Sequence, residues 1–399
     1  MIGAADLAGR LETLAPIGRG PLGTTRLAWT EEDAATGEWF REQAAGAGLR
    51  VERDPAGNLW AVPDTPPPWW AVGSHLDSVR EGGSFDGALG VVAGFEVAAQ
   101  LARRGGAAAA GAAAPVAVIS FADEEGARFN TPTFGSRALT GVLDLAVLDR
   151  VDRDGVRLAD AMRAAGVDPG AIGGAPEWLS RLRGFVELHI DQTTELERAD
   201  LPAGVVRGLA SRMRLRAEIE GRADHAGTTP PADRRDALAA AARLIVAALD
   251  RSGDGLVATA SRIEVEPNAL TTVPARASVW LDARSPDAER VDAWRAEMEA
   301  LDVGLPVALT LESRSPGCEF DDALRSRLVA ISEEMGARAP EMACYAGHDA
   351  GLIAARLPAA MVLVRNETGV SHSPSEHVEL EDAAFGAELV LRLMEELAA

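Results

Sequence analysis

The chain has 399 residues, 47% of them apolar, and a formal net charge of −22. That length exceeds what one hydrophobic core usually serves, so two domains are expected, and the apolar share excludes an intrinsically disordered chain. The acidic balance excludes nucleic acid and an anionic membrane surface as partners, and the absence of any lysine excludes Schiff-base chemistry on a lysine amine. Cys318 and Cys344 stand apart without metal-type spacing, so no disulfide framework is expected. No apolar run approaches the roughly 20 residues of a membrane span, and no basic-then-apolar leader is read, so a cytoplasmic location is expected.

In chain order, Thr30 stands three residues before Asp33 and opens a helical pattern over 29–48 that stops at Gly46 and Gly48. A strand pair is expected near 49–53 and 58–62. The stretch Gly73-Ser74-His75-Leu76-Asp77 then leads into Gly82-Gly83-Ser84-Phe85-Asp86-Gly87. Here an imidazole, a carboxylate two residues on and a second carboxylate in a Gly-rich turn supply what a two-metal hydrolase needs. Imidazole gives a neutral nitrogen ligand, one carboxylate can bridge two divalent ions, and another can hold the second ring nitrogen. Asp77 is placed for that last task.

A long apolar helix over 90–103 and a low-complexity Ala/Gly insert over 107–115, expected as surface loop or frayed helix end, come next. The apolar run to Phe121 reads as a buried strand ending in Asp123-Glu124-Glu125, adjacent carboxylates that can divide metal binding and proton transfer. Another strand-like run delivers His189 in Leu188-His189-Ile190-Asp191-Gln192. From about residue 211 the pattern becomes strand, helix (236–251), two strands (258–266, 277–283), helix (287–301) and strand (307–312). That is a β-α-β-β-α-β unit inserted into a larger domain, and near its start stands His225-Ala226-Gly227-Thr228-Thr229-Pro230. The first domain resumes near Asp321, with an apolar run at 360–364, the motif Gly369-Val370-Ser371-His372-Ser373-Pro374, and a last helix over 382–397.

This reading gives an α/β fold with domains 1–210 plus 321–399 and 211–320. His75, Glu124, Glu125, His189 and His372 fall at or beyond the C-terminal ends of expected strands, the edge along which open α/β sheets build sites. Five of the six histidines sit in such motifs; His377 has none and is read as a surface or packing residue.

These motifs resemble those of the hydantoinase/carbamoylase amidase family, the ureido-hydrolysing branch of the zinc-dependent aminoacylase and exopeptidase superfamily. The likeness runs from Thr25-Arg26-Leu27-Ala28-Trp29-Thr30 and Gly57-Asn58-Leu59 to the last helix. His189, where the peptidase branch usually has an acidic residue, favours the carbamoylase side. The resemblance implies a metallopeptidase-like catalytic domain, with mixed sheet and flanking helices, plus a two-layer α+β lid and dimerisation domain that makes a homodimer. It implies two divalent ions (zinc, manganese, cobalt or nickel): His75 and His189 on one, Glu125 and His372 on the other, Asp86 bridging. Glu124 would be the general base, His225 the donor to the tetrahedral intermediate, and Arg284 and Arg214 the partners of a substrate carboxylate. Gln192 and His348, the latter in Gly347-His348-Asp349-Ala350, would lie near the substrate.

Several positions depart from the family pattern, among them Ser211, where a hinge-region Gly is common. Asp191 and Thr193 replace the Glu and Gly of His-Ile-Glu-Gln-Gly, and Thr271 replaces the second Asn of Pro-Asn-x-x-Asn-x-x-Pro-Gly. A Gly-to-Thr change is expected to alter the backbone allowed just after the ligand. The implied reaction is hydrolysis of an N-carbamoyl L-α-amino acid to amino acid, ammonia and carbon dioxide. Allantoate or another ureido acid is the alternative substrate, then an N-acyl amino acid or dipeptide. A non-catalytic binding protein on the same fold would have lost Glu124 or a ligand, and none is lost.

Overall fold

Alternating polar and apolar side chains make a strand with one wet face, whereas unbroken apolar runs make strands covered on both sides. The computed structural model, which describes residues 1–105 and 116–398, contains both kinds, in separate compact units. The first unit is Met1–Arg207, Glu319–Met342 and Gly347–Ala399; the second is Gly208–Cys318 with Ala343–Ala346. The sequence reading has the first domain resume once, near 321; in the structure the four residues 343–346 return to the second unit. The Ala/Gly insert at 107–115 lies outside the described residues.

Strands of the first part of the chain are β1 (Arg19–Gly20), β2 (Gly23–Thr24), β3 (Arg50–Arg53), β4 (Leu59–Val62), β5 (Trp69–His75), β6 (Val116–Phe121), β7 (Leu182–Ile190) and β8 (Ala203–Leu209). Those of the insert are β9 (Ser211–Glu220), β10 (Asp224–His225), β11 (Val257–Glu266), β12 (Thr272–Val273), β13 (Arg276–Ser285) and β14 (Val307–Ser315). β15 (Cys318–Glu319), β16 (Glu341–Cys344) and β17 (Ala359–Val364) follow. Among the described residues one mixed sheet runs β15-β8-β17-β7-β5-β6-β4-β3, with β16 beside β8.

Its centre, β17-β7-β5-β6, is parallel. The outer strands β8, β4 and β3 are antiparallel to their neighbours. β6 and β17 are buried along their whole length, as the runs VAVISF and AAMVLV require. Helices Ala4–Leu14, Ala88–Gly105 and Leu380–Ala398 share one apolar core with β5, β6, β7 and β17. Phe95 of the second helix meets Phe40 edge-to-face at 4.8 Å inside it. Truncating such a ring to Ala costs about 3–5 kcal/mol in a well-packed core.

The second unit alternates as its sequence does. In β9, Met213, Leu215, Ala217 and Ile219 are buried while Arg212, Arg214, Arg216 and Glu218 are half-exposed. Its sheet order is β11-β13-β9-β14, all antiparallel, and helices Ala237–Leu249 and Ala288–Glu299 fill its core. β10 and β12 form a separate two-stranded ribbon. No helix among the described residues is long and apolar enough to cross a membrane.

Candidate active site

Each of the four parallel strands ends in a segment that carries an ionisable side chain. His75 is the last residue of β5 and His189 the penultimate residue of β7. Glu124 and Glu125 lie just past β6, and His372 follows β17 through a loop. Parallel register makes the C-terminal ends of these strands neighbours, so residues over 290 positions apart in sequence share one edge.

The imidazoles converge on one carboxylate. Asp86 Oδ1 lies 3.0 Å from His189 Nε2 and 3.5 Å from His75 Nε2, while Asp86 Oδ2 lies 3.5 Å from His372 Nε2. His372 Nε2 is also 3.2 Å from Glu125 Oε2, and His75 Nε2 is 3.7 Å from Glu124 Oε2. Two triads result, His75-Asp86-His189 and Asp86-Glu125-His372, with Asp86 common to both. In the first, the δ nitrogens donate to carbonyls: His75 Nδ1 to Asp77 O at 3.0 Å, His189 Nδ1 to Ile190 O at 3.1 Å. That fixes the tautomer and leaves each Nε2 lone pair turned to the cluster.

Asp77 acts differently from the sequence expectation. Its carbonyl, not its carboxylate, makes the close contact with His75; the carboxylate stands 3.6 Å off and accepts the backbone N–H groups of Glu124 and Glu125, both at 3.1 Å. It therefore sets the turn that presents the two glutamates. The Gly-rich turn is equally constrained. Gly87 has φ +65°, and a Cβ there would lie 2.4 Å from the His75 ring, so only glycine allows Asp86 this close to the imidazole.

One residue that the sequence reading did not single out completes the frame. Glu376, four residues past His372, accepts from Phe85 N at 2.7 Å and Asp86 N at 3.0 Å. Ser371 Oγ donates to Asp86 Oδ2 at 2.6 Å and reaches Glu376 Oε2 at 3.4 Å. A Cβ on Gly83 would lie 2.3 Å from the Glu376 carboxyl. Its signal in the sequence is the acid that closes Ser371-His372-Ser373-Pro374-Ser375-Glu376.

Burial and charge act against each other throughout. Burial opposes charge on His75 and His189, yet Asp86 and the neighbouring carboxylates outweigh it and raise both imidazoles, His75 strongly. Glu125 raises His372. Burial also opposes the charge of Asp86, but His189 and His75 hold it well below the usual carboxylate range. Glu124 goes the other way: burial, with Asp349, Glu125 and Asp77 nearby, pushes it well above that range despite His75. Burial pushes Glu376 up to about 7. His348, its ring 4.4 Å from that of His189, is driven well below the usual imidazole range by burial and by His189.

This donor set fits divalent cations. Three imidazole nitrogens and two carboxylates face one another with no arginine among them. Glu125 Oε1 is buried without a hydrogen-bond partner among the described residues, an acceptor that only a cation or water satisfies. A second buried group, Glu187-His189-His348, shares His189, but Glu187 is already engaged by Ser74 Oγ at 2.7 Å and Ala350 N at 2.9 Å.

Gln192 and Thr193 follow β7 in the first unit. Thr193, whose replacement of glycine was expected to alter the allowed backbone, has no positive φ. Its N–H and hydroxyl both bond Asp191 Oδ1 at 2.9 Å, so the two departures form one turn. The remaining expected residues belong to the second unit. His225 is exposed, and its Nδ1 accepts from Gly227 N at 3.0 Å, which puts the ring proton on Nε2. Thr271, exposed beside it, accepts Ala226 N at 2.9 Å through its carbonyl. Arg214 and Arg284 are both held at 2.8 Å by the two oxygens of Asp282.

Comparison with known proteins shows the family to which the chain belongs. Residues 61–396 match peptidase family M20/M25/M40. An N-carbamoyl-L-amino acid amidohydrolase of Geobacillus stearothermophilus is 36% identical over 100% of this chain and 99% of its own length. An allantoate amidohydrolase of Bacillus subtilis is 32% identical over 94% of this chain and 93% of its own. The crystal structure of a hydantoinase/carbamoylase family amidase from Burkholderia multivorans superposes with a TM-score of 0.86 at 31% identity, covering 100% of this chain and 98% of that one.

Proposed function

Since this chain belongs to peptidase family M20/M25/M40 and, within it, to the hydantoinase/carbamoylase amidases, we propose that it hydrolyses the ureido group of an N-carbamoyl L-α-amino acid. The products are the free amino acid, ammonia and carbon dioxide. Its reaction class is hydrolysis of a linear, non-peptide carbon–nitrogen bond in a metal-dependent family. The observation that carries the reading is the pair of triads sharing Asp86, with an ionisable glutamate, Glu124, beside them.

In this reading His75 and His189 hold one divalent ion, Glu125 and His372 the other, and Asp86 both. Such ions, when bound, polarise the scissile carbonyl and lower the pKa of water. Glu124 accepts a proton from the attacking water and delivers it to the leaving nitrogen; its raised affinity for protons suits both halves of that exchange. Asp77 holds the backbone of Glu124 and Glu125 in place. His225, with its proton on Nε2, supplies the hydrogen bond to the developing oxyanion. Arg284 and Arg214, fixed by Asp282, take the substrate carboxylate, and Gln192, His348 and Thr271 border the substrate. The second unit serves as lid and as the surface of a homodimer.

Allantoate is the second reading, supported by the Bacillus subtilis relative. The test is ammonia release by metal-loaded enzyme from N-carbamoyl-L-amino acids, β-ureidopropionate and allantoate, with N-acetyl-amino acids and dipeptides as controls. Release from an N-carbamoyl-L-amino acid supports the proposal. Cleavage confined to allantoate favours the second reading, and cleavage confined to the controls overturns both.

A further inference from the structure

Arg26 belongs to the Thr25-Arg26-Leu27 motif, to which the proposed reaction gives no part. Its side chain is buried, with 1% of the residue exposed, and it forms no ion pair within 4 Å among the described residues. Only its Nε has a hydrogen-bond partner there, Leu76 O at 2.7 Å; the two terminal nitrogens have none. Burial lowers the pKa of this guanidinium to about 10, and the charges of Asp77, Glu376 and Asp86 offset part of that cost. None of them meets its terminal nitrogens within ion-pair distance, so those nitrogens are open to an acceptor from outside the chain.

Arg26 belongs to the lining of a cavity of about 570 Å³ in the first unit, remote in sequence from the ligand motifs except at one wall. Leu11, Leu14, Phe85, Val378 and the small faces of Ala4 and Ala8 make the walls apolar. Glu12, Glu379 and Glu381, all exposed, stand at its opening. Each feature restricts the occupant. Arg26, the arginine of the lining, calls for one negative charge, the walls for an apolar body, and the acidic opening repels phosphates and other polyanions. The volume suits a small organic molecule.

We propose that this cavity is a binding site for a small monocarboxylate with an apolar body, its carboxylate paired with the terminal nitrogens of Arg26. Ser84 and Phe85 in its wall directly precede Asp86, so the occupant touches the segment that carries the shared carboxylate. The site is independent of which amide the enzyme hydrolyses.

The test is calorimetry and hydrogen–deuterium exchange on metal-loaded enzyme with 4-methylpentanoate, its neutral amide and inorganic phosphate. Saturable binding of 4-methylpentanoate is expected, with slowed exchange over 4–15 and 377–381. The amide should bind about 10- to 100-fold more weakly, the worth of a charged hydrogen-bond pair, and phosphate should not protect these segments. Arg26→Gln should abolish the protection. Because that variant disturbs a buried site, Ala8→Phe, which fills the cavity from the helix side, should abolish it too and leave turnover unchanged. Arg284→Ala should leave it intact, which separates this cavity from any carboxylate site in the second unit. No saturable binding, equal binding of acid and amide, or protection that survives Ala8→Phe would overturn the proposal.

Discussion

His75 and His189 of the first compact unit and His225 of the second are held in opposite ways. In the first, His75 and His189 are buried, each ring fixed through Nδ1 by a carbonyl and facing Asp86 through Nε2. In the second, His225 is exposed and held by a single backbone N–H. A cation site needs several ligands placed before the cation arrives, because a misplaced ligand costs affinity directly. A donor to a transition-state oxygen needs only to present a proton where charge develops, and it can do so from a solvent-exposed ribbon. In the proposed mechanism His75 and His189 bind an ion and His225 acts on the reacting group, and mutation tests that separation.

The strongest break would come at the shared residue. Asp86→Ala removes a ligand from both triads, so it should strip both ions and reduce turnover to background; elemental analysis beside an activity assay checks this. Glu124→Gln should keep the ions and lower turnover by about 10²–10⁴-fold, since an amide cannot accept the proton. Full activity in that variant would remove Glu124 as the base. His225→Ala should lower turnover by about 10²–10³-fold with metal content unchanged. Loss of metal there would erase the contrast between the units.

A smaller effect sharpens the first half of the comparison. His75, His189 and His372 all hold their protons more tightly than an ordinary imidazole in the ion-free protein. An incoming cation must displace those protons, so apparent affinity should rise with pH through and above the ordinary imidazole range, by about tenfold per pH unit for each proton released. Competition with a chelating dye at several pH values measures the slope. A flat profile would mean that these rings are not the ligands.

How much of this was legible in sequence follows from the kind of information each feature needs. β5, β6, β7 and β17 announce themselves as apolar runs, and their ends carry His75, Glu124, Glu125, His189 and His372 within a few residues, so strand ends and ligand types could be read together. The insert's alternation in β9 and β13 was equally plain. What the chain order hides is which atoms meet. Asp77 stands two residues from His75 and invited a carboxylate–imidazole pair, yet the turn brings its carbonyl to the ring and leaves the carboxylate for two backbone N–H groups. Glu376 holds Phe85 and Asp86 from 290 residues away, a contact that follows only from parallel register across the sheet. Asp191 and Thr193 stand in the sequence as two separate departures from the family pattern, and the fold makes them partners. That the terminal nitrogens of Arg26 lack a hydrogen-bond partner cannot be read from sequence at all, since it depends on what the fold brings around them.

The account rests on two ions sharing Asp86, and the direct test is to titrate zinc or manganese into chelator-stripped enzyme while counting bound ions and following ammonia release from an N-carbamoyl-L-amino acid. Two ions per chain, with turnover reaching its plateau only as the second site fills, is the predicted result. A plateau at one ion, or turnover in the fully stripped protein, would contradict it.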